Sequence, residues 1–252
     1  HALPDRAREL VTRGFDVTTE VPFRAVVFEL SRTEHVLLFV AHHIATDGFS
    51  LRPLARDVMV AYAARTRGEL PGWAPLEIQY ADYALWQRDV LGSEDEPGSV
   101  AAEQVQFWKR TLAGLPDQLD LPSDRARPER ASGHGRTSRF HVDEALHDRL
   151  QNLAHEKNTS LFMVVHAALA VLLARLSATE DIAIGTPVAG RGEAALDDLV
   201  GMFVNTLVLR TDVQGGQSFA ELLSAVRESD LDAFAHADVP FERLVELLDP
   251  ER

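Results

Sequence analysis

His42-His43-Ile44-Ala45-Thr46-Asp47-Gly48 is the stretch on which the reading of this chain turns. It follows an apolar, strand-like run over 36–42. It precedes a helical pattern that begins near Leu51 and carries Leu54, Val58 and Tyr62 on one face. Strand side chains alternate between faces, so His42 and His43 are expected to point opposite ways. One would be packed and hydrogen-bonded; the other would face a cleft. An imidazole in a cleft titrates near neutral pH and suits proton transfer to or from an amine or hydroxyl. Asp47 is placed to fix the turn or to pair with an arginine. Gly48 can bring its backbone close to a ligand and leave room for a substrate. Plainer readings compete. A histidine at a strand end is most often a satisfied core residue. A metal site is disfavoured, because adjacent strand histidines do not easily share one ion and no third ligand stands at a familiar spacing.

Outward from this stretch the pattern is mixed α/β. A strand over 23–30, a turn at Ser31-Arg32-Thr33-Glu34 and the 36–42 run read as a hairpin. The helix from Leu51 should stop near Gly68. Helices follow over about 78–91 and 99–112. Residues 115–135 mix prolines, charges and glycines without a period, which predicts an interlobe linker. The first lobe then covers 1–114 and the second 136–252. Asp143 is expected to cap a helix carrying Leu146, Leu150 and Leu153. The apolar run from Leu161 to Leu176 reads as a buried helix, falling short of the about 20 apolar residues that span a bilayer. Strands over 181–188 and 203–213 and a helix over 219–234 follow. Pro240 should open the last helix.

Composition narrows the function classes. The 252 residues carry a formal net charge of −14, which disfavours nucleic acid and an anionic membrane surface as partners. There are no cysteines, so disulfides, thiolate metal sites and a cysteine nucleophile are excluded. The first sixteen residues are polar and charged, unlike a signal peptide, and a cytoplasmic location is expected.

Several segments resemble, in order, the motifs of condensation domains of nonribosomal peptide synthetases. Residues 42–48 match HHxxxDG. Tyr80-Ala81-Asp82-Tyr83-Ala84-Leu85-Trp86-Gln87 resembles YxDYAxWQ. Ile184-Gly185-Thr186-Pro187-Val188-Ala189-Gly190-Arg191 resembles IGxPxxGR. Val200-Gly201-Met202-Phe203-Val204-Asn205-Thr206-Leu207 resembles VGxFVNTL, and His236-Ala237-Asp238-Val239-Pro240-Phe241-Glu242 resembles HxDxPFE. Taken singly, each of the later motifs reads equally as core.

The resemblance implies a two-lobed, chloramphenicol acetyltransferase-like α/β fold with an active-site tunnel between its lobes. It implies peptide-bond formation between donor and acceptor thioesters held on the phosphopantetheine arms of two carrier proteins. No cofactor or metal is expected on the chain itself, and neighbouring adenylation or epimerization domains are expected in the same polypeptide. His43 takes the place of the motif's catalytic histidine, as general base or as the group that positions the amine. Gly48 lines the same site. His42 and Asp47 are expected to be structural, with Arg191 as the in-chain partner of Asp47, and Asn205 is a candidate substrate-binding residue. The family's opening RHExLRT motif and its closing segment are not among these residues, so the chain is expected to be an internal piece of a larger domain. The nearest alternatives are an epimerization domain, although the glutamate expected before its VGWFT strand is not at its place here, and a non-catalytic docking fragment. Finally, the run over 42–57 resembles the subtype that takes a donor ending in a D-configured residue.

Overall fold

A computed structural model describes residues 2–116, 118–126, 128, 130, 132–133 and 135–248. The chain forms two compact units. The first comprises His1–Leu91 together with Ala189–Val204; the second comprises Gly92–Val188 and Asn205–Arg252.

The first unit opens with helix α1 (Ala2–Thr12), which the polar sequence did not suggest. Strands β1 (Phe23–Glu29) and β2 (His35–Ala41) pair antiparallel, with Phe23 opposite Ala41 and Glu29 opposite His35. The turn between them is closed by the N–H groups of Leu30 and Ser31 on Glu34 O, at 2.9 and 3.2 Å. Arg24 holds the end of α1 to this hairpin. Its guanidinium donates to Arg13 O and Gly14 O and lies over the Phe15 ring, 3.6 Å from its centroid. Helix α2 (Leu51–Thr66) ends at Arg67, followed by Gly68 at φ +75. Helix α3 (Tyr80–Leu91) packs Tyr83 against Leu196, Leu199 and Phe203. Those three residues lie in the excursion Ala189–Val204, so this return of the chain supplies core to the first unit.

The second unit holds α4 (Val100–Thr111), α5 (Glu144–Glu156), α6 (Leu161–Ser177), β3 (Asp181–Val188), β4 (Asn205–Asp212), α7 (Phe219–Ala235) and α8 (Phe241–Leu248). Strands β3 and β4 pair antiparallel, with Asp181 opposite Asp212 and Val188 opposite Asn205. Arg210 reaches across to Asp181 in a bidentate pair at 2.8 and 2.7 Å. The helix starts follow their caps: Ser99, Asp143, Ser160 and Ser218 each accept a backbone N–H with the side chain, and Ser218 with Glu221 forms a capping box. One cluster gathers Val105, Trp108, Leu112, Leu207, Leu209, Ala233, Val239 and Leu244; another joins α5, α6 and α7 through Ala154, Val164, Ala167, Leu223 and Val226.

Two expectations need correction. The units do not divide through 115–135. The chain leaves the first unit between Leu91 and Gly92, because α4 belongs to the second core. There Trp108 is fully buried and donates its indole N–H to His236 O at 2.8 Å. Residues 115–135 carry no helix or strand among those described, and positions 117, 127, 129, 131 and 134 lie outside the described residues. Nor is α6 buried all round. Met163, Val164, His166, Ala167 and Ala170 face the core, whereas Val165, Leu169, Leu172 and Leu176 are exposed. Among the described residues, no single helix is long and apolar enough to cross a membrane.

Candidate active site

The site is built on the end of β2, which stops at Ala41, one residue short of the expectation. His43, Ile44 and Ala45 form a turn, so strand alternation does not govern where the two imidazoles point. Both histidines are exposed. His42 is therefore not packed into a core. It is nevertheless tied: its N–H donates to Pro22 O at 2.9 Å, its carbonyl accepts from Ala45 N–H at 3.0 Å, and its Nδ1 accepts from Ile44 N–H at 3.0 Å. An accepting Nδ1 carries no proton, which leaves the proton of a neutral ring on Nε2. His42 thus closes the turn that presents its neighbour. The His43 ring has no hydrogen-bond, ionic or ring partner among the described residues.

Beyond the turn the chain dives inward. Asp47 and Ser50 are buried, at 3% and 0% exposure. Asp47 Oδ1 accepts from the Ser50 N–H and hydroxyl, both at 2.8 Å, and from Arg191 Nη2 at 3.3 Å. Its Oδ2 accepts from Phe203 N–H at 3.1 Å. Burial alone would raise the pKa of this carboxyl. The Ser50 hydroxyl and N–H, the Phe203 N–H and the Arg191 charge outweigh burial and hold it below the usual carboxylate value. Arg191 is itself enclosed: Nη1 donates to Leu196 O and Leu199 O, and the guanidinium lies over the Phe203 ring, 4.0 Å from its centroid. The ion pair offered by the sequence, Asp47 with Arg191, is formed inside the first unit.

Two glycines let the excursion come this close. Gly190 has φ +63, and a Cβ there would lie 1.9 Å from Phe203 O. A Cβ on Gly201 would lie 2.2 Å from the Tyr80 ring. Tyr80 in turn donates its hydroxyl to Met202 O at 2.7 Å and stands edge-on to Phe203. Tyr80 and Tyr83 are thus framework, in keeping with the core reading of their motif. Gly48 differs from Gly190 and Gly201. A methyl group placed on it would meet nothing within 4 Å, so the surrounding protein does not require a glycine there.

Asn205 is not available to a substrate. Its Nδ2 donates to Ala237 O and Val239 O, both at 2.8 Å, while Oδ1 accepts from Thr206 N–H at 2.8 Å and Phe241 N–H at 3.0 Å. Every hydrogen-bonding position of the carboxamide is spent on backbone, so Asn205 holds the turn before α8 rather than a ligand. Gln104 completes that clamp from α4, accepting from the Asp238 and Val239 N–H groups and donating to Asp238 Oδ2. Ser50 is the residue that sequence reasoning passed over. A serine immediately before a helix reads as an N-cap, and nothing in the sequence marks it as more.

The family model for condensation domains matches residues 2–252. This chain belongs to the condensation-domain family. It is 55% identical over 250 residues to a dimodular nonribosomal peptide synthase of Bacillus subtilis, covering 99% of this chain and 10% of the relative. It is 52% identical over 250 residues to a probable non-canonical nonribosomal peptide synthetase of Salinispora arenicola, covering 99% of this chain and 3% of that relative. Among solved structures it superposes with a TM-score of 0.93 on a chain from the complex of the X-domain and OxyB from teicoplanin biosynthesis, at 37% identity, covering 99% of this chain and 55% of that one. The condensation-domain chain thus spans a small part of its curated relatives and about half of that solved chain. Its α/β fold is of the chloramphenicol acetyltransferase-like class that the motifs implied.

Proposed function

We propose that this condensation-domain chain, within its parent polypeptide, forms peptide bonds between a donor aminoacyl or peptidyl thioester and an acceptor aminoacyl thioester, each held on a carrier protein. The observation that carries the reading is the contrast within one motif. Asp47 is buried and pinned by four contacts from Ser50, Arg191 and Phe203, whereas His43, four residues earlier, is exposed with an unpartnered ring. A rigid base under a free imidazole is the arrangement that proton transfer or amine positioning asks for.

In the reaction the acceptor's amine nitrogen attacks the donor's thioester carbon. The C–N bond forms, the C–S bond breaks, and the donor arm leaves as a thiol. His43 takes the proton that the amine gives up, or holds that amine by a hydrogen bond; the slope of the rate with pH separates the two. Gly48 leaves space beside the turn, and on this reading its N–H would favour the negative charge of the tetrahedral intermediate. No group on the chain becomes acylated, no cofactor is required on the chain itself, and the phosphopantetheine arms belong to the carriers. Neighbouring adenylation or epimerization domains of the parent would load or adjust the substrates, in the cytoplasm. The run over 42–57 supports a donor whose terminal residue is D-configured.

The test is His43→Ala in the full parent protein, with both carriers loaded. We expect dipeptide formation to fall by about 100-fold or more, the usual scale for losing an acid–base group. Formation at the wild-type rate would remove the assignment. The likeness to the X-domain in complex with OxyB favours one second reading, a docking platform without chemistry. On that reading, His43→Ala leaves product formation by the whole synthetase unchanged.

A further inference from the structure

Ser50 occupies the N-cap position of α2 but does not cap it. Its backbone is in the helical region, at φ −62 and ψ −21, and its side chain makes no capping hydrogen bond. Every other helix start here that carries a serine cap uses it: Ser99, Ser160 and Ser218 each accept a backbone N–H three residues on. The Ser50 hydroxyl is turned the other way, into the junction beneath the histidine turn. It lies 2.8 Å from Asp47 Oδ1 and 2.8 Å from Gly201 O, to either of which it can donate. It also accepts from Gly201 N–H at 3.1 Å, Arg191 Nη2 at 3.1 Å and Asp47 N–H at 3.4 Å. The side chain is fully buried.

One hydroxyl has a single proton and two lone pairs, so five partners within reach mean that it sits where several strands of the junction converge. Two of them belong to the backbone of Gly201, in the excursion Ala189–Val204, and two to Asp47, at the far end of the histidine turn. The turn's near end is already closed by His42. Between these ends His43 has no anchor of its own, so its place depends on them both.

We propose that Ser50 is a positioning residue for His43. Asp47 N–H donates directly to Gly201 O at 3.1 Å; by reinforcing that bond with its own contacts to both residues, the hydroxyl fixes the far end of the turn and so holds the imidazole where it meets the attacking amine. This rests on the proposed peptide-bond formation. Displacing a reacting group by about 1 Å can cost about 100-fold in rate. Hence a loosened junction should lower kcat while leaving carrier binding alone.

The experiment uses the full parent synthetase with loaded donor and acceptor carriers, and the variants Ser50→Ala, Ser50→Cys, His43→Ala and the double variant Ser50→Ala with His43→Ala. We expect Ser50→Ala to lower kcat by about tenfold to 100-fold with KM for the acceptor carrier changed by less than about twofold, and Ser50→Cys to fall between it and the wild type. In the His43→Ala background, removing the hydroxyl should cost nothing further, because residues acting as a unit are non-additive. Hydrogen exchange measured by mass spectrometry should quicken in the peptides covering 42–50 and 199–204. Losses that multiply in the double variant, or a Ser50→Ala protein with wild-type kcat, would overturn the proposal; if Ser50→Ala does not fold, wild-type kcat in Ser50→Cys with quickened exchange overturns it equally. A His43→Ala protein with the wild-type rate points instead to failure of the peptide-bond assignment for His43, a separate result read from its own variant.

Discussion

At the scale of single residues, the site shows how a carboxylate can be buried at little cost. Asp47 has donors on both oxygens and a guanidinium beside it, which is the condition under which a buried charge is tolerated. Removing one member of such a set strands the other. Asp47→Asn places an amide N–H₂ or a neutral oxygen where Phe203 N–H and Arg191 need a negative charge. We expect a loss of about 3 kcal/mol, measured by denaturant unfolding at neutral pH. The pH dependence has a definite sign. The folded carboxyl titrates below its ordinary 3.8, so the stability it contributes is present above that value and is lost as pH falls through the depressed one. The gap between wild type and Asp47→Asn should therefore close as pH drops below about 4, while a gap that stays constant would show that the charge is not responsible.

At the scale of elements, the motifs turn out to be joints between segments more than chemistry. VGxFVNTL contributes Gly201 and Phe203 to the junction under the histidine turn, then Asn205 to the clamp on the HxDxPFE turn. Asn205→Ala would leave backbone groups of residues 237, 239 and 241 without partners in a half-buried place. We expect a cost of about 2–3 kcal/mol and faster amide exchange at the start of α8, with the exchange of the 42–48 turn unchanged. If Asn205→Ala instead weakened substrate binding at full stability, the clamp assignment would fail. Strand ends were the least legible feature of these elements. A one-residue difference at Ala41 changed the meaning of alternation for both histidines, because residues beyond the last ladder bond take turn geometry instead.

At the scale of the whole molecule, this chain spans 10% of the length of its Bacillus relative, so the proposed reaction belongs to an assay of the parent polypeptide. The stereochemical preference proposed above is tested there. Donor carriers loaded with peptides differing only in the terminal α-centre would compete in the full parent domain, and the product would be resolved by chirality. We expect the D-terminated donor to be used preferentially, by about tenfold or more, the scale on which a misfitting group with nowhere to go is rejected. Equal use of both hands would remove the subtype while leaving peptide-bond formation untouched.

Much of this was legible before any coordinates. Residues 42–48 and the ordered motifs after them led to the family. The cap at Asp143 and the Gly68 stop placed helix ends to within a residue or two, because these signals act through local hydrogen bonds. Other features required the tertiary structure. That α4 sits in the second core depends on Trp108 and Gln104 meeting residues more than a hundred positions away. That Asn205 is a clamp and Ser50 a hub depends on which buried partners surround a short polar side chain. Sequence spacing cannot express such contacts, since an amide or hydroxyl takes its role from whichever unsatisfied backbone groups folding brings within about 3 Å of it.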